Sequence, residues 1–288
     1  MKPFSTALGT LFDTQIFVSA DLYVFQLPGG GEARLTSADI NLTWGGYTYL
    51  SGSPRIDRSA LSQKTGLEVS TVKIDVYPTA NDIIGDGPWL EALQRGFFDG
   101  AAVTISRAFA PAWGQAVTGT IVLMAGRVAD AKFGRSKATI EVNSWTEILK
   151  NPMPRTYYQS PCNNTLGDAR CGVDIAAFAE VGTITDVVNA SIIAVNNGAP
   201  AGFFTYGKMT MTSGLCNTET RPIAFAGGPA PGGQEFILQI PFSRPPAIGD
   251  TFLAYPGCDK TKATCQTKYD NLSNFTGYPF IPAPEMAI

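Results

Sequence analysis

The sequence predicts a mainly β protein of two antiparallel β-rich domains, with one helix in the first domain and a four-cysteine site in the second. Glycine and proline account for 30 and 20 of the 288 residues. This share is above the average for globular chains and favours short strands joined by turns. Apolar and polar residues alternate over several short runs, as they do in half-buried strands. The length suits about two domains of ordinary size.

The N-terminal half is predicted to consist mostly of strands. Gly45 and Gly46 lie between Trp44 and Tyr47, and a glycine pair in this position is typical of a two-residue hairpin. The clearest strand is predicted over 67–77, where the alternation changes phase near residue 70 as a β-bulge would explain. Further half-buried strands are predicted over 102–109, 118–124, 128–133 and 137–142.

One helix is predicted among these strands. Gly87 and Pro88 precede a run of periodic apolar residues from Trp89 to Phe98. This pattern predicts a helix of about three turns with proline at its first position. A single helical turn over 145–150 is predicted to close the domain.

The segment 151–154 contains asparagine, methionine and two prolines, which interrupt regular secondary structure. It marks the predicted domain boundary, so the predicted domains are 1–154 and 155–288. In the second domain, the glycine- and proline-rich stretch 227–233 is predicted to be a surface loop. A small β domain is expected as an insertion over about 178–255. Its strands are predicted over 179–184, 191–195, 203–211, 221–225, 236–240 and 251–255.

Four of the five cysteines fall into two pairs. Cys162 and Cys171 lie in a turn-rich segment, and Cys258 and Cys265 follow Gly257 around a short polar helix. Thiols from two distant loops can hold one ion or cluster. The spacing leaves three chemistries open, namely two structural disulfides, zinc held by four thiolates, or an iron–sulfur cluster. The looser spacing favours a cluster over zinc.

Composition excludes several function classes. The net charge is −3 and no dense lysine and arginine run is present, which argues against sequence-specific nucleic-acid binding. Histidine is absent, and this excludes Ser–His–Asp and Cys–His catalysis as well as zinc sites with histidine ligands. Asp82, Asp86 and Asp99 could supply a glycosidase pair, but carboxylates in glycine-rich turns usually serve the turn. The chain is therefore not expected to be an enzyme.

The first residues point to a reducing compartment. Asp13 lies where a secretory signal would be apolar, and no apolar run is long enough for a membrane anchor. In a reducing cytoplasm, thiolates are better placed to hold metal than to form disulfides. Cys216 is left over and is expected to be a small buried thiol rather than a fifth ligand. Basic residues near the pairs favour thiolates, namely Arg155, Arg170, Lys260, Lys262 and Lys268.

Two regions carry a resemblance to a known family. The first is LTSADINLTWGGYTYLSG at 35–52, followed by IDRSALSQKTGLEVSTVKIDVY at 56–77. The second is CNNTLGDARCGVD at 162–174 with PGCDKTKATCQTKYDNLSNFTGYPFIP at 256–282, whose cysteine spacing and Asn-Phe-x-Gly-x-Pro ending are the specific part. The chain resembles the tail-tip hub proteins of long-tailed phages and gene transfer agents, relatives of the lambda tail-tip hub protein.

The resemblance implies a structural role in the virion tail tip, assembled in the bacterial host cytoplasm. It implies a homotrimer that closes the tail tube and contacts the distal tail protein, the central fibre protein and the C-terminus of the tape-measure protein. It also implies a [4Fe–4S] cluster, a cofactor whose metal ligands would be Cys162, Cys171, Cys258 and Cys265. The cluster is expected to clamp the C-terminal domain rather than move electrons.

Two alternatives to this hypothesis come from other classes. The first is a secreted β-rich protein that binds or hydrolyses carbohydrate and carries disulfides. The second is a zinc-stabilised β module of some other assembly. Thiol titration distinguishes the first from a hub, and metal analysis distinguishes the second.

Overall fold

The computed structural model describes residues 4–61, 69–85, 87–150, 153–154 and 156–281. The chain divides into two compact units, Met1–Pro152 and Met153–Ile288. Strands dominate both, which confirms the mainly β fold class. None of the helices in the described ranges is long and apolar enough to cross a lipid bilayer.

The elements of the first unit are α1 (Thr6–Asp13), β1 (Val18–Gln26), β2 (Glu32–Thr36), β3 (Leu42–Trp44), β4 (Tyr47–Ser51), β5 (Arg55–Arg58), β6 (Thr71–Tyr77), β7 (Ile83–Ile84), β8 (Gly87–Pro88), α2 (Trp89–Gln94), β9 (Ala102–Ala110), β10 (Gly119–Phe133), β11 (Ala138–Ser144) and a closing 3₁₀ turn (Trp145–Lys150). Nine of these strands form one sheet with the order β3-β4-β2-β1-β9-β10-β11-β6-β5, and β7 and β8 pair separately. Neighbours in the large sheet are antiparallel except for β2 and β4, which run parallel, so the sheet is mixed rather than purely antiparallel as predicted.

Several strand predictions hold. The Gly45–Gly46 turn joins β3 to β4, with Trp44 opposite Tyr47 and both glycines at positive φ. Val72, Ile74 and Val76 of β6 alternate with exposed or half-buried residues and are fully buried. The phase change predicted near residue 70 falls next to 62–68, which lie outside the described residues. The two strands predicted over 118–133 are one, because bulges absorb its changes of register.

The prediction of a single helix in the first unit was wrong. α1 begins after Ser5, whose hydroxyl accepts a hydrogen bond from the Leu8 N–H, and it buries Leu8 and Leu11. The predicted helix is also shorter than expected, since α2 ends at Gln94. Gly96 adopts a φ of 81°, a left-handed conformation that ends helices. The periodic apolar residues beyond it, including Phe98, pack as a turn on the sheet.

A buried ion cluster shows that the sheet curls on itself. Asp21 of β1 accepts hydrogen bonds from Arg107 of the adjacent β9 and from Arg58 of β5, at 2.8 and 2.7 Å. β5 is the far edge of the sheet, five positions away from β1 in the strand order. Only strong curvature brings Arg58 to Asp21. The curled face encloses a core with Phe25, Trp89 and Phe98 near its centre, arranged as aromatic contacts.

The elements of the second unit are a 3₁₀ turn (Ile175–Phe178), β12 (Glu180–Val187), β13 (Ile192–Asn196), β14 (Lys208–Met211), β15 (Thr220–Ala230), β16 (Gly233–Leu238), β17 (Thr251–Tyr255), α3 (Lys262–Thr267) and a last 3₁₀ turn (Leu272–Asn274). The six strands form a closed barrel with the order β12-β13-β16-β15-β14-β17. The glycine-rich segment 227–233 is not the surface loop that was predicted. Most of it belongs to the bulged hairpin of β15 and β16, where Ala230 pairs with Gly233.

Close backbone packing between β10 and β11 gives a testable prediction. A Cβ added at Gly126 would lie 2.0 Å from the Asn143 carbonyl oxygen, whereas a Cβ at Gly134 would make ordinary contact at 3.7 Å. We expect Gly126→Ala to lower the free energy of unfolding by about 2 kcal/mol or more, because the backbone must shift. Gly134→Ala should change it by less than about 0.5 kcal/mol.

Denaturant unfolding followed by tryptophan fluorescence measures this effect in the first unit alone, since all four tryptophans lie there. Equal stability of the two variants would contradict the packing between these strands.

Candidate functional site

Barrel closure brings the two cysteine loops together. β12 and β17 are antiparallel neighbours, with Glu180 opposite Ala254. The loop with Cys162 and Cys171 runs into β12, and the loop with Cys258 and Cys265 leaves β17. A backbone hydrogen bond of 2.9 Å from the Cys162 N–H to the Lys260 carbonyl joins the loops directly.

The first loop is shaped by one aspartate and two glycines. The Asp168 carboxylate accepts hydrogen bonds from the backbone N–H groups of Thr165 and Cys171, at 2.8 and 2.6 Å. Gly167 and Gly172 adopt φ values of 81° and 72°, which side chains beyond glycine rarely tolerate. These turns direct the Cys171 side chain toward the second cysteine loop, although this part of the chain has no regular secondary structure.

The second loop is fixed to the barrel at Gly257. A Cβ there would lie 2.1 to 2.3 Å from backbone atoms of residues 205–207, so only glycine allows this approach. Cys258 follows directly. Thr261 then caps α3 by accepting a hydrogen bond from the Thr264 N–H, and the short helix carries Cys265. The short polar helix predicted after Gly257 is therefore confirmed.

The four cysteines that were predicted to be ligands line one pocket. Cys162, Cys171, Cys258 and Cys265 are unpaired and half-buried, and all four line the same small pocket. Across the described ranges, no three cysteine, histidine or carboxylate side chains lie close enough together to hold a single metal ion. The thiols share a pocket rather than a compact ligand group.

The electrostatics of the pocket differ among the thiols. Burial raises the pKa of Cys265, and the negative charge of the other three thiolates raises it further. Burial raises the pKa of Cys258 as well, despite a hydrogen bond from the Lys260 N–H. At Cys162 burial also acts to raise the pKa, but hydrogen bonds from Thr276 and Asn164 and the positive charge of Lys260 together outweigh it, so the pKa is lowered. Four thiolates in one pocket repel each other, which a bound cation would relieve.

Lys268 and Tyr269 tie this pocket to the barrel. The Lys268 ammonium donates to the carbonyls of Phe203 and Gly257, the latter at 2.8 Å, and lies 4.5 Å from the centre of the Phe203 ring. The Tyr269 hydroxyl donates to the same Gly257 carbonyl at 2.7 Å. Burial lowers the pKa of Lys268, against the negative charges of Cys258 and Asp259. Both side chains hold the backbone beside Cys258.

The other basic residues predicted near the site have different positions. Lys260 lines the pocket and donates to the Asn164 carbonyl. Lys262 lies over the Phe280 ring, at 5.4 Å from its centre. Arg170 is exposed, and Arg155 lies outside the described residues.

Three polar residues around the pocket were not predicted individually. Asn271 and Asn274 line it, and the Thr276 hydroxyl lies 3.5 Å from the Cys162 sulfur. They precede or belong to the Asn-Phe-x-Gly-x-Pro segment that carries the resemblance. The available signal was the polar stretch after Cys265, which belongs to the region that carries the resemblance.

The remaining candidates lie elsewhere. Cys216 is fully buried in the barrel core, where its thiol donates to the Arg244 carbonyl at 3.2 Å, as expected for a small buried thiol. Asp82 accepts hydrogen bonds from the Thr79 N–H and hydroxyl, so it serves its turn. Asp99 lies in the turn after α2, and Asp86 is outside the described residues.

Comparison with protein families identifies the chain. The model described as "Baseplate hub protein, N-terminal attachment domain" matches residues 5–174, which is more than half of the sequence. The chain belongs to the baseplate hub protein family. A second model, described as a phage conserved hypothetical protein, matches residues 202–285 of this hub protein. Each match contains one cysteine pair.

A solved structure has the same fold. A chain in the structure titled "Virion of native gene transfer agent (GTA) particle" superimposes with a TM-score of 0.76 at 24% identity, over 99% of the hub protein and 95% of that chain. A comparison with curated proteins finds no match. The family is structural and non-enzymatic, and it places the hub protein in the virion tail tip. These findings confirm the predicted family, the predicted absence of enzymatic function and the predicted location, and they disfavour the secreted alternative.

The different thiol environments give a prediction for this hub protein in its reduced, metal-free form. The thiolate is the reactive species, so a lower pKa gives a larger reactive fraction near neutral pH. We therefore expect a short pulse of iodoacetamide at pH 7 to modify Cys162 before Cys258 and Cys265. The difference should shrink as the pH is raised, because all of these thiols then ionise.

Peptide mass spectrometry after timed pulses measures the order of modification. Cys216 serves as the internal control, since it should react only after unfolding. Modification of Cys258 or Cys265 ahead of Cys162 at pH 7 would contradict the hydrogen bonding around Thr276.

Proposed function

We propose that this baseplate hub protein holds a structural [4Fe–4S] cluster on Cys162, Cys171, Cys258 and Cys265. The observation that carries the proposal is the convergence of four half-buried, unpaired thiols on one pocket. Thiolates are the ligands that iron–sulfur clusters take in proteins. When bound, the cluster would join the two loops covalently through iron and sulfur.

The residues around the pocket suit such a group. A cluster takes four thiolates, and the pocket is lined by four unpaired cysteines. These ligands must be deprotonated, and the iron charge would offset the burial and the repulsion that raise the pKa values of Cys258 and Cys265. Zinc is the alternative cofactor, and metal analysis distinguishes the two.

We further propose that the protein forms a homotrimeric hub that closes the tail tube. It would contact the distal tail protein and the central fibre protein, with the tape-measure C-terminus nearby. The family description, an attachment domain of a baseplate hub, supports this role. The first unit also exposes large apolar side chains in its closing 3₁₀ turn, where Trp145, Ile148 and Leu149 are 55%, 71% and 61% exposed. Apolar surfaces of this kind are typical of protein interfaces.

Anaerobic purification tests the cluster. We expect brown protein with iron and acid-labile sulfide in equal amounts, and a broad visible absorption band. Cys258→Ser should lose most of the iron, because a ligand is removed. Cys216→Ala should retain it, since that thiol lies in the barrel core. Colourless parent protein that contains zinc would show that zinc, and not a cluster, is the cofactor. Metal-free parent protein with disulfides would exclude both cofactors.

Particle assembly tests the structural role. We expect Cys258→Ser to give soluble protein that fails to complete tails, because the loop after β17 loses its crosslink. Cys216→Ala should assemble tails at the parent level. Electron microscopy of lysates counts complete and incomplete tails. Normal tail numbers with Cys258→Ser would show that assembly does not need the crosslink.

A further inference from the structure

We propose that the segment 271–276 positions the sulfur ligands, with Asn271 holding Cys171 and Cys265 and with Thr276 holding Cys162. This inference rests on the proposed cluster. The segment follows α3 and contributes no cysteine of its own, yet it contacts three of the four thiols that line the pocket. Its residues would act through the ligands and are positioning residues.

Asn271 contacts one cysteine from each loop. Its side-chain amide donates to the Cys171 carbonyl at 2.6 Å and lies 3.7 Å from the Cys171 sulfur. Its backbone N–H donates to the Cys265 carbonyl at 3.0 Å, and its own carbonyl accepts from the Cys265 thiol at 3.2 Å. The bond from the Cys265 thiol to the Asn271 carbonyl is lost when Cys265 is deprotonated. The bonds from Asn271 to the Cys171 and Cys265 carbonyls do not need a thiol proton and are compatible with bound metal.

A second asparagine orients this amide. The Asn274 side-chain N–H donates to the Asn271 side-chain oxygen at 2.7 Å, which turns the Asn271 nitrogen toward Cys171. The Asn274 carbonyl in turn accepts from the side-chain amide of Asn164 at 2.9 Å. Asn164 is buried in the first loop, two residues after Cys162. The amides thus attach the segment 271–276 to the first cysteine loop at two points, Asn164 and Cys171.

Thr276 completes the series at Cys162. Its hydroxyl oxygen accepts from the Asn163 N–H at 3.3 Å, so its own proton is available to the Cys162 sulfur at 3.5 Å. Hydrogen bonds to ligand sulfurs orient them and stabilise their negative charge, which raises the reduction potential of a cluster. Loss of these donors should therefore weaken cluster retention and lower its potential.

Four isosteric or conservative variants of the full chain test the inference. Asn271→Asp removes the amide donor, and Thr276→Val removes the hydroxyl. Thr276→Ser restores the hydroxyl and is the rescue variant. Thr267→Val is the matched control, because Thr267 is exposed on α3 and its hydroxyl donates to the Ala263 carbonyl of the same helix.

The first readout is iron loss to a chelator from anaerobically purified protein, followed by visible absorption. We expect loss to be roughly 10-fold faster or more in Asn271→Asp and Thr276→Val. Thr276→Ser and Thr267→Val should behave like the parent. The second readout is the midpoint potential, which should fall in the Asn271 and Thr276→Val variants only. Parent-like rates and potentials in both variants would overturn the inference.

A metal-free measurement separates this inference from the cluster proposal. In reduced, metal-free protein, Asn271→Asp should speed amide hydrogen exchange of the loop 163–171 several-fold, because the loop loses the hydrogen bond between Asn271 and the Cys171 carbonyl, while the barrel strands keep their exchange rates. A parent chain without iron would refute the cluster, and an unchanged exchange rate of the loop would then refute the positioning role too. If Asn271→Asp does not fold, the Thr276→Val and Thr276→Ser pair decides the outcome.

Discussion

The pairing of β12 with β17 is the constraint on which the site depends. These strands close the barrel, and they are the first and last strands of that barrel in the sequence. Closure forces the chain to enter and leave the barrel at neighbouring positions. The loops outside it therefore meet, although about ninety residues separate the two cysteine pairs along the chain. Barrel folding thus meets the entropic cost of bringing the loops together, and the proposed cluster would only have to hold them.

The backbone around the thiols is irregular, and specific contacts stabilise it in place of the hydrogen-bond ladder of a β-sheet. Gly257 lets the loop approach the barrel backbone, and Lys268 and Tyr269 bind the same carbonyl. Asp168 organises the opposite loop through its carboxylate. The side chains of Lys268, Tyr269 and Asp168 form hydrogen bonds with backbone groups that would otherwise bond to water. The pocket is thus held by hydrogen bonds from several elements, which brings four thiols together.

In the first unit, buried ion pairs fix the curvature of the sheet. Its curled sheet buries a core on one face, and the Asp21 cluster joins β1 to the distant edge strand β5. Breaking a buried ion pair by removing one partner typically costs about 3–5 kcal/mol, so the curvature is strongly specified. Meanwhile Trp145, Ile148 and Leu149 remain exposed. A 3₁₀ turn that exposes apolar side chains suits a structural protein of the virion tail tip.

Local sequence determined the features that depend on few neighbouring residues. The Gly45–Gly46 hairpin, the alternation of β6 and the short helix after Gly257 follow from turn chemistry and side-chain period, so they could be predicted. The two cysteine pairs could be identified too. Tertiary structure alone decided that 227–233 pairs in a hairpin, that the sheet is mixed and that Asn271 lies between two cysteines. These features depend on strand pairing and contacts between distant residues, whose energies no local pattern records.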